Sequence, residues 1–231
     1  MEKHYFPFRT NYSGAMTNMN VFAFFLIGTL SFAFLAFRFL TSKVQAFRIF
    51  GTGLALFAVA FGIWAAIVYT QPADLATMTT LGVIPFGLAN LFFVAAGTSD
   101  FGSQGRRILL SVAAIVLTAL FVIRTFSFPS TPSINADGYF YFNADPIAIL
   151  LYVIVFAGAL MPAVHIVTLH TSHKQTGIFT RLFFNVVTLS GVVLLVSVSD
   201  DLQYLNGYVM LLGLIGLVVT HARKTPEYTT H

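Results

Sequence analysis

The sequence predicts an all-α polytopic membrane protein, a bundle of seven transmembrane helices with its N-terminus outside and its C-terminus in the cytoplasm. Three observations predict it: scarce charge, seven apolar stretches of spanning length, and basic residues that alternate from one side of those stretches to the other. Of 231 residues, 57% are hydrophobic and 9% charged, and phenylalanine alone accounts for 26. Soluble domains carry about 25% charged residues. A chain so poor in charge cannot cover a water-facing surface, so lipid must surround most of it. The length suits a single domain. The net charge of +4 does not imply nucleic acid, because the basic residues sit in short pairs between apolar stretches and form no stripe. The absence of cysteine excludes disulfides, thiolate metal centres and a cysteine nucleophile.

Each apolar stretch is close to the roughly 20 residues that cross about 30 Å of hydrocarbon. The first, Asn20–Leu40, is too long for a signal-peptide core and lacks a small-residue cleavage site after it. It is expected to be a first spanning helix that also targets the chain, with residues 1–19 as an extracytoplasmic segment. Asn11-Tyr12-Ser13 in that segment fits a glycosylation sequon. The second stretch, Ile49–Tyr69, carries Ala58, Gly62 and Ala66 at spacing four, a small-residue stripe suited to close packing inside the bundle or in a dimer. Its Trp64 and Tyr69 lie where an interfacial aromatic belt is expected. The third, Met78–Gly97, contains Pro85 and Asn90. The fourth is Ile108–Phe126, with Arg124 near its end, and the fifth is Pro146–Leu169, with Pro162 and His165. The sixth is Ile178–Ser199, holding Asn185. The seventh, Gly207–His221, is the shortest, and its helix can begin earlier, inside Leu202–Leu205.

The breaks are Thr41–Arg48, Thr70–Thr77, Thr98–Arg107, Ser127–Asp145, His170–Gly177 and Asp200–Asn206. All but Ser127–Asp145 are short, which forces neighbouring helices to run antiparallel. The bundle thus covers residues 20–221 and leaves 222–231 as a cytoplasmic tail. No internal repeat is evident, which counts against a transporter built on repeat symmetry.

Charge orients the bundle. Arg38, Lys43, Arg48, Arg106, Arg107, Lys174, Arg181, Arg223 and Lys224 fall on one side, nine of the twelve basic residues. Lys3, Arg9 and Arg124 fall on the other, together with Glu2, Asp74, Asp137, Asp145, Asp200 and Asp201. The positive-inside rule makes the first side cytoplasmic. An error of one helix would scramble this sorting.

Few residues suggest chemistry. Arg124 at membrane depth is costly, at least about 2.5 kcal/mol at the bilayer centre. It either contacts an anion or substrate from inside the bundle, paired with Asp145, Asp200 or Asp201, or snorkels to the headgroups. Asp200 and Asp201 could bind a cation or work as an acid–base pair. Adjacent helical residues point about 100° apart, however, so a solvated acidic turn followed by a new helix start, with Asp as N-cap, is the simpler reading. His165, His170, His173 and His221 raise the question of haem or metal, but only His165 lies at depth and no carboxylate is near it in sequence. No metal or cofactor is expected. Pro85 and Pro162 interrupt their helices' hydrogen bonding and are expected to kink them, in places that can border a cavity. Asn90 and Asn185 are expected to hydrogen-bond across the bundle. Tyr139, Phe140, Tyr141 and Phe142 in the long connection form either a lid over the outer mouth or a patch in the headgroup layer. No helix interior holds a lysine, so a retinal Schiff base is excluded. Zinc-protease, phosphate-loop and nucleophile-elbow motifs are also absent.

A basic turn (Ser42, Lys43, Arg48) leads into an apolar helix with central Trp64, followed by Gly82-Val83-Ile84-Pro85 and Leu91-Phe92-Phe93. Over these roughly 50 residues the chain resembles the seven-helix sensor region at the N-terminus of some bacterial histidine kinases. Only a short tail follows Arg223, so the resemblance implies a free-standing sensor or binding module that signals through a partner. The function expected from the sequence is therefore non-enzymatic binding of a small ligand, lipid or partner protein at the plasma membrane. The ligand residues would be Trp64, Pro85, Arg124, Tyr139, Tyr141, Asp200 and Asp201. The expected partners are the lipid bilayer, a membrane or cytoplasmic signalling protein and a second copy of the chain. The alternatives are a redox or enzyme subunit using His165, or a small transporter.

Overall fold

The computed structural model describes residues 14–70, 74–99, 103–130, 133–134, 140–141, 143–169, 174–196 and 200–222. The glycosylation sequon, Tyr139, His170, His173, Arg223 and Lys224 lie outside these residues. The helices are α1 (Gly14–Leu40), α2 (Gln45–Thr70), α3 (Leu75–Gly97), α4 (Gln104–Ser127), α5 (Pro146–Leu169), α6 (Lys174–Val196) and α7 (Asp200–Ala222). Between α4 and α5, β1 (Ser133–Ile134) pairs antiparallel with β2 (Phe140–Tyr141), Ser133 opposite Tyr141. Among the described residues, seven helices are long and apolar enough to cross a membrane, as a multi-pass helical protein requires.

Most helices outrun their apolar stretches by about a turn at one end or both. Hydropathy reports contact with lipid, whereas the backbone ladder continues into the headgroup region. The largest correction is at α7. The expected break Asp200–Asn206 is helical, and Asp200 and Asp201 open α7 instead of filling a turn after α6. Carboxylates in a first turn suit the positive end of the helix dipole. Only α5 keeps the predicted limits, because Asp145-Pro146 starts it sharply. Asp145 accepts the Ala148 N–H at 3.0 Å as N-cap, and Pro146 takes the first helical position, where no N–H is needed.

Side-chain pairings show how the helices run. Phe39–Phe50, Phe32–Phe57 and Phe25–Trp64 make α1 and α2 antiparallel. Phe50–Phe93, Phe57–Phe86 and Trp64–Phe86 do the same for α2 and α3. Thr180 against His221 makes α6 and α7 antiparallel. α1 and α7 run parallel, with Phe39 on His221 and Phe24 beside Gly207. α2 is the most enclosed helix, and its Phe47, Phe50, Phe57, Phe61 and Trp64 are all buried. α4 is the least enclosed. It packs on α3 and α5 through one stripe, Ala114, Thr118, Phe121 and Thr125, and its other faces are open and apolar.

This arrangement places Arg38, Lys43, Arg48, Arg106, Arg107 and Arg181 at one end, hereafter the basic end, and Arg124 at the other. The turns beginning α3, α5 and α7, with Asp74, Asp145, Asp200 and Asp201, form the acidic end. Trp64 departs from its expected place in an aromatic belt. It is buried against Phe25, Phe61 and Phe86, while Tyr69 remains exposed. The inward turn of Trp64 depends on Gly82 of α3, where a Cβ would collide with the indole. The small-residue stripe of α2 packs internally at Gly62, which faces Thr29 of α1.

Candidate functional site: a cavity at the acidic end

In lipid, a side-chain hydroxyl without a partner is expensive, and threonine commonly solves this by donating to the carbonyl four residues back. Thr29, Thr80, Thr98, Thr125, Thr180 and Thr188 all do so, at 2.7–2.8 Å. Thr79 and Thr118 are buried and do not. The Tyr152 hydroxyl and the Asn90 side-chain oxygen are likewise buried, with no hydrogen-bond partner among the described residues. The Asn90 amide reaches only Phe86 O of its own helix, at a marginal 3.5 Å, in place of the expected bond across the bundle.

Two of these partnerless groups, Thr79 and Tyr152, line the same space. A cavity of about 50 Å³ lies at the acidic end among α2, α3, α4 and α5. Its walls are largely aromatic: Trp64, Phe86, Phe121, Phe128 and Tyr152. Phe86 and Tyr152 stack at 4.5 Å, Trp64 meets Phe86 edge-on at 5.1 Å, and Phe121 tilts against Tyr152 at 5.4 Å. At 1.5 Å per residue, Thr79, Tyr152 and Trp64 lie about 6–9 Å in from the ends of their helices. The rim holds Ser130, Ala144 and Asp145.

Asp145 links the rim to Arg124. The guanidinium grips both carboxylate oxygens, Nε at 2.8 Å and Nη2 at 2.9 Å, and also stacks over Phe128 with Cζ 3.6 Å from the ring centroid. The hydrogen bonds from Arg124, with help from the Ala148 N–H, hold the Asp145 carboxyl down to about 2. Arg124 therefore pairs with an aspartate as one sequence-based alternative had it, and the partner is Asp145. That carboxylate fills the Nε–Nη2 edge of the guanidinium and balances its charge.

The other expected ligand residues scatter. Trp64 is in the wall and Arg124 stands behind the rim, but Pro85 is not part of the lining. α3 runs unbroken through Pro85, which lies between the lining residues Val83 and Phe86. Tyr141 lies in β2, and Asp200 and Asp201 open α7, which packs on α6 and α1. Sequence reasoning missed Thr79, Phe86, Phe121 and Tyr152. A signal existed for Tyr152 alone, the only tyrosine in α5 and the only polar side chain in its first half. His165 is exposed on α5 and points away from the packed interior. Among the described residues, no three His, Asp or Glu side chains converge as a metal site would need. No family model, curated protein or solved structure matches this chain.

Proposed function

We propose that the chain is a non-enzymatic binding module of the plasma membrane, whose ligand site is the acidic-end cavity. One observation carries the reading. Two buried hydroxyls in one aromatic-walled cavity have no partner, in a bundle whose other threonines mostly satisfy themselves. Such groups are costly unless something polar completes them. Apolar walls with a few convergent polar groups are what small-molecule sites use. The charge distribution supports an orientation with the basic end in the cytoplasm, so the cavity opens outward. An outward pocket and a basic cytoplasmic end fit a sensor that reports to a membrane or cytoplasmic partner, as the resemblance to kinase sensor regions implies. The exposure of His165 speaks against the reading as a redox subunit.

The chain's single tryptophan lines the cavity and so reports its occupancy. The test is a library of small metabolites titrated against the protein in lipid nanodiscs, read by Trp64 emission. At least one compound is expected to give a saturable change that disappears in Ala148→Leu, a substitution that fills the cavity from α5. A library without any response that separates wild type from Ala148→Leu would overturn the proposal.

A further inference from the structure

The cavity's chemistry narrows the ligand class, on the premise that this cavity is the ligand site. Charge comes first. Among the described residues of the lining, Asp145 is the one that is formally charged, and both its oxygens are committed, to Arg124 and to the Ala148 N–H. A cationic ligand would have to displace Arg124 from Asp145, and an anion would have to give up water for a lining whose one described charge is a carboxylate. Either exchange strands a charge at the edge of an apolar, aromatic-walled space, where an unpaired ion is far more costly than an unpaired dipole. A hydrocarbon ligand fails for the opposite reason, since it would leave the Thr79 and Tyr152 hydroxyls without partners. Each hydroxyl can donate one hydrogen bond and accept others, so the best complement both donates and accepts.

Size comes second. A water needs about 10–15 Å³ of such volume. The cavity of about 50 Å³ therefore offers about three to five atom-sized positions. We infer that the cavity takes an uncharged molecule of about three to five non-hydrogen atoms that both donates and accepts a hydrogen bond, of the primary-amide or short-chain-alcohol class, held between Thr79 and Tyr152.

Three probes of nearly identical shape separate the charge states: acetamide, acetate and acetamidinium. Each is titrated against the full-length protein in nanodiscs, with Trp64 emission as the readout. Acetamide is expected to bind saturably, with a Kd of about 1 mM for so few atoms. Thr79→Val and Tyr152→Phe remove one hydroxyl each while keeping shape, and each is expected to weaken acetamide about tenfold. Acetate and acetamidinium are expected to leave Trp64 unchanged. If either ion binds as well as acetamide, the class is wrong, although the cavity remains a ligand site. If acetamide binds equally to both hydroxyl-deleted variants, or none of the probes binds, the inference falls, because water alone then completes the hydroxyls. Loss of every Ala148→Leu-sensitive response, in the metabolite library as well, takes the site proposal down with it.

Discussion

At the residue scale, Thr79 and Thr80 show how neighbours of identical chemistry divide between an unsatisfied and a satisfied hydroxyl. Thr80 returns its proton to Ala76 O at 2.8 Å and is satisfied within its own helix. Thr79, one position back, is turned about 100° round the helix to the cavity and is not satisfied. A buried hydroxyl kept without a partner costs about 1–3 kcal/mol. Thr79→Val is therefore expected to leave the ligand-free protein as stable as wild type or more stable by about 1 kcal/mol, measured by unfolding in mixed micelles. A clear loss of stability would show that the hydroxyl is already well bonded. Asp145 makes a separate prediction. Its carboxyl is held down to about 2 by Arg124, against about 3.9 in an unfolded chain. Because the folded value is the lower one, the pair's contribution is present above about pH 4 and is lost as pH falls toward about 2. Asp145→Asn keeps an oxygen to cap α5 but cannot form the ion pair. The stability gap between wild type and this variant is expected to close across that window; a gap constant with pH would assign the effect to capping alone.

At the element scale, α4 and the α3–α5 contact behave differently. α4 touches the bundle along one stripe, and its outward residues, such as Leu109 and Ile115, are apolar and exposed, as on a lipid-facing surface. Lipid tails are as apolar as the side chains they touch, so trimming that face costs little. Phe121 fills space against Tyr152 and beside Gly87. Phe121→Ala is expected to cost about 3–5 kcal/mol and Ile115→Ala well under about 1 kcal/mol, in the same unfolding assay. Where α3 meets α5, a Cβ on Gly97 would lie 2.8 Å from Ala163 N and 2.9 Å from Pro162 Cβ. Helix propensity favours alanine there by about 1 kcal/mol, but overpacking against backbone costs about 1–3 kcal/mol. Gly97→Ala is therefore expected to destabilise, and an unchanged or raised unfolding midpoint would contradict the close approach. These elements also show what the sequence could reveal. The helix number and the limits of α5 were legible, because spanning length and an Asp-Pro start are local signals. The burial of Trp64 was not, since it depends on Gly82 of another helix, and no local pattern pairs them. Phe86 and Phe121 were equally hidden among the 26 phenylalanines, which share one chemistry and differ only in what they face.

At the scale of the whole molecule, the helix directions turn the charge count into a geometric statement. Successive helices run antiparallel and α1 lies parallel to α7, so the turn after α1, the turn after α3 and the C-terminal end of α7 share one end. That end holds Lys43, Arg48, Arg106 and Arg107, while the opposite end holds Asp74 and Asp145. Asp74 is held below its ordinary range by the Thr77 N–H, which keeps it charged as an N-cap. The positive-inside rule assigns the basic end of such a bundle to the cytoplasm, and that assignment is testable. The natural chain has no cysteine, so single substitutions report without background. Lys43→Cys and Asn143→Cys occupy exposed positions at opposite ends. In intact cells, an impermeant maleimide is expected to label Asn143→Cys and to reach Lys43→Cys only after the membrane is permeabilised. The reverse pattern would turn the cavity toward the cytoplasm, and the ligand would then be an intracellular solute. Labelling of both positions in intact cells would mean that these ends do not lie on opposite sides of one bilayer, against an odd number of crossings.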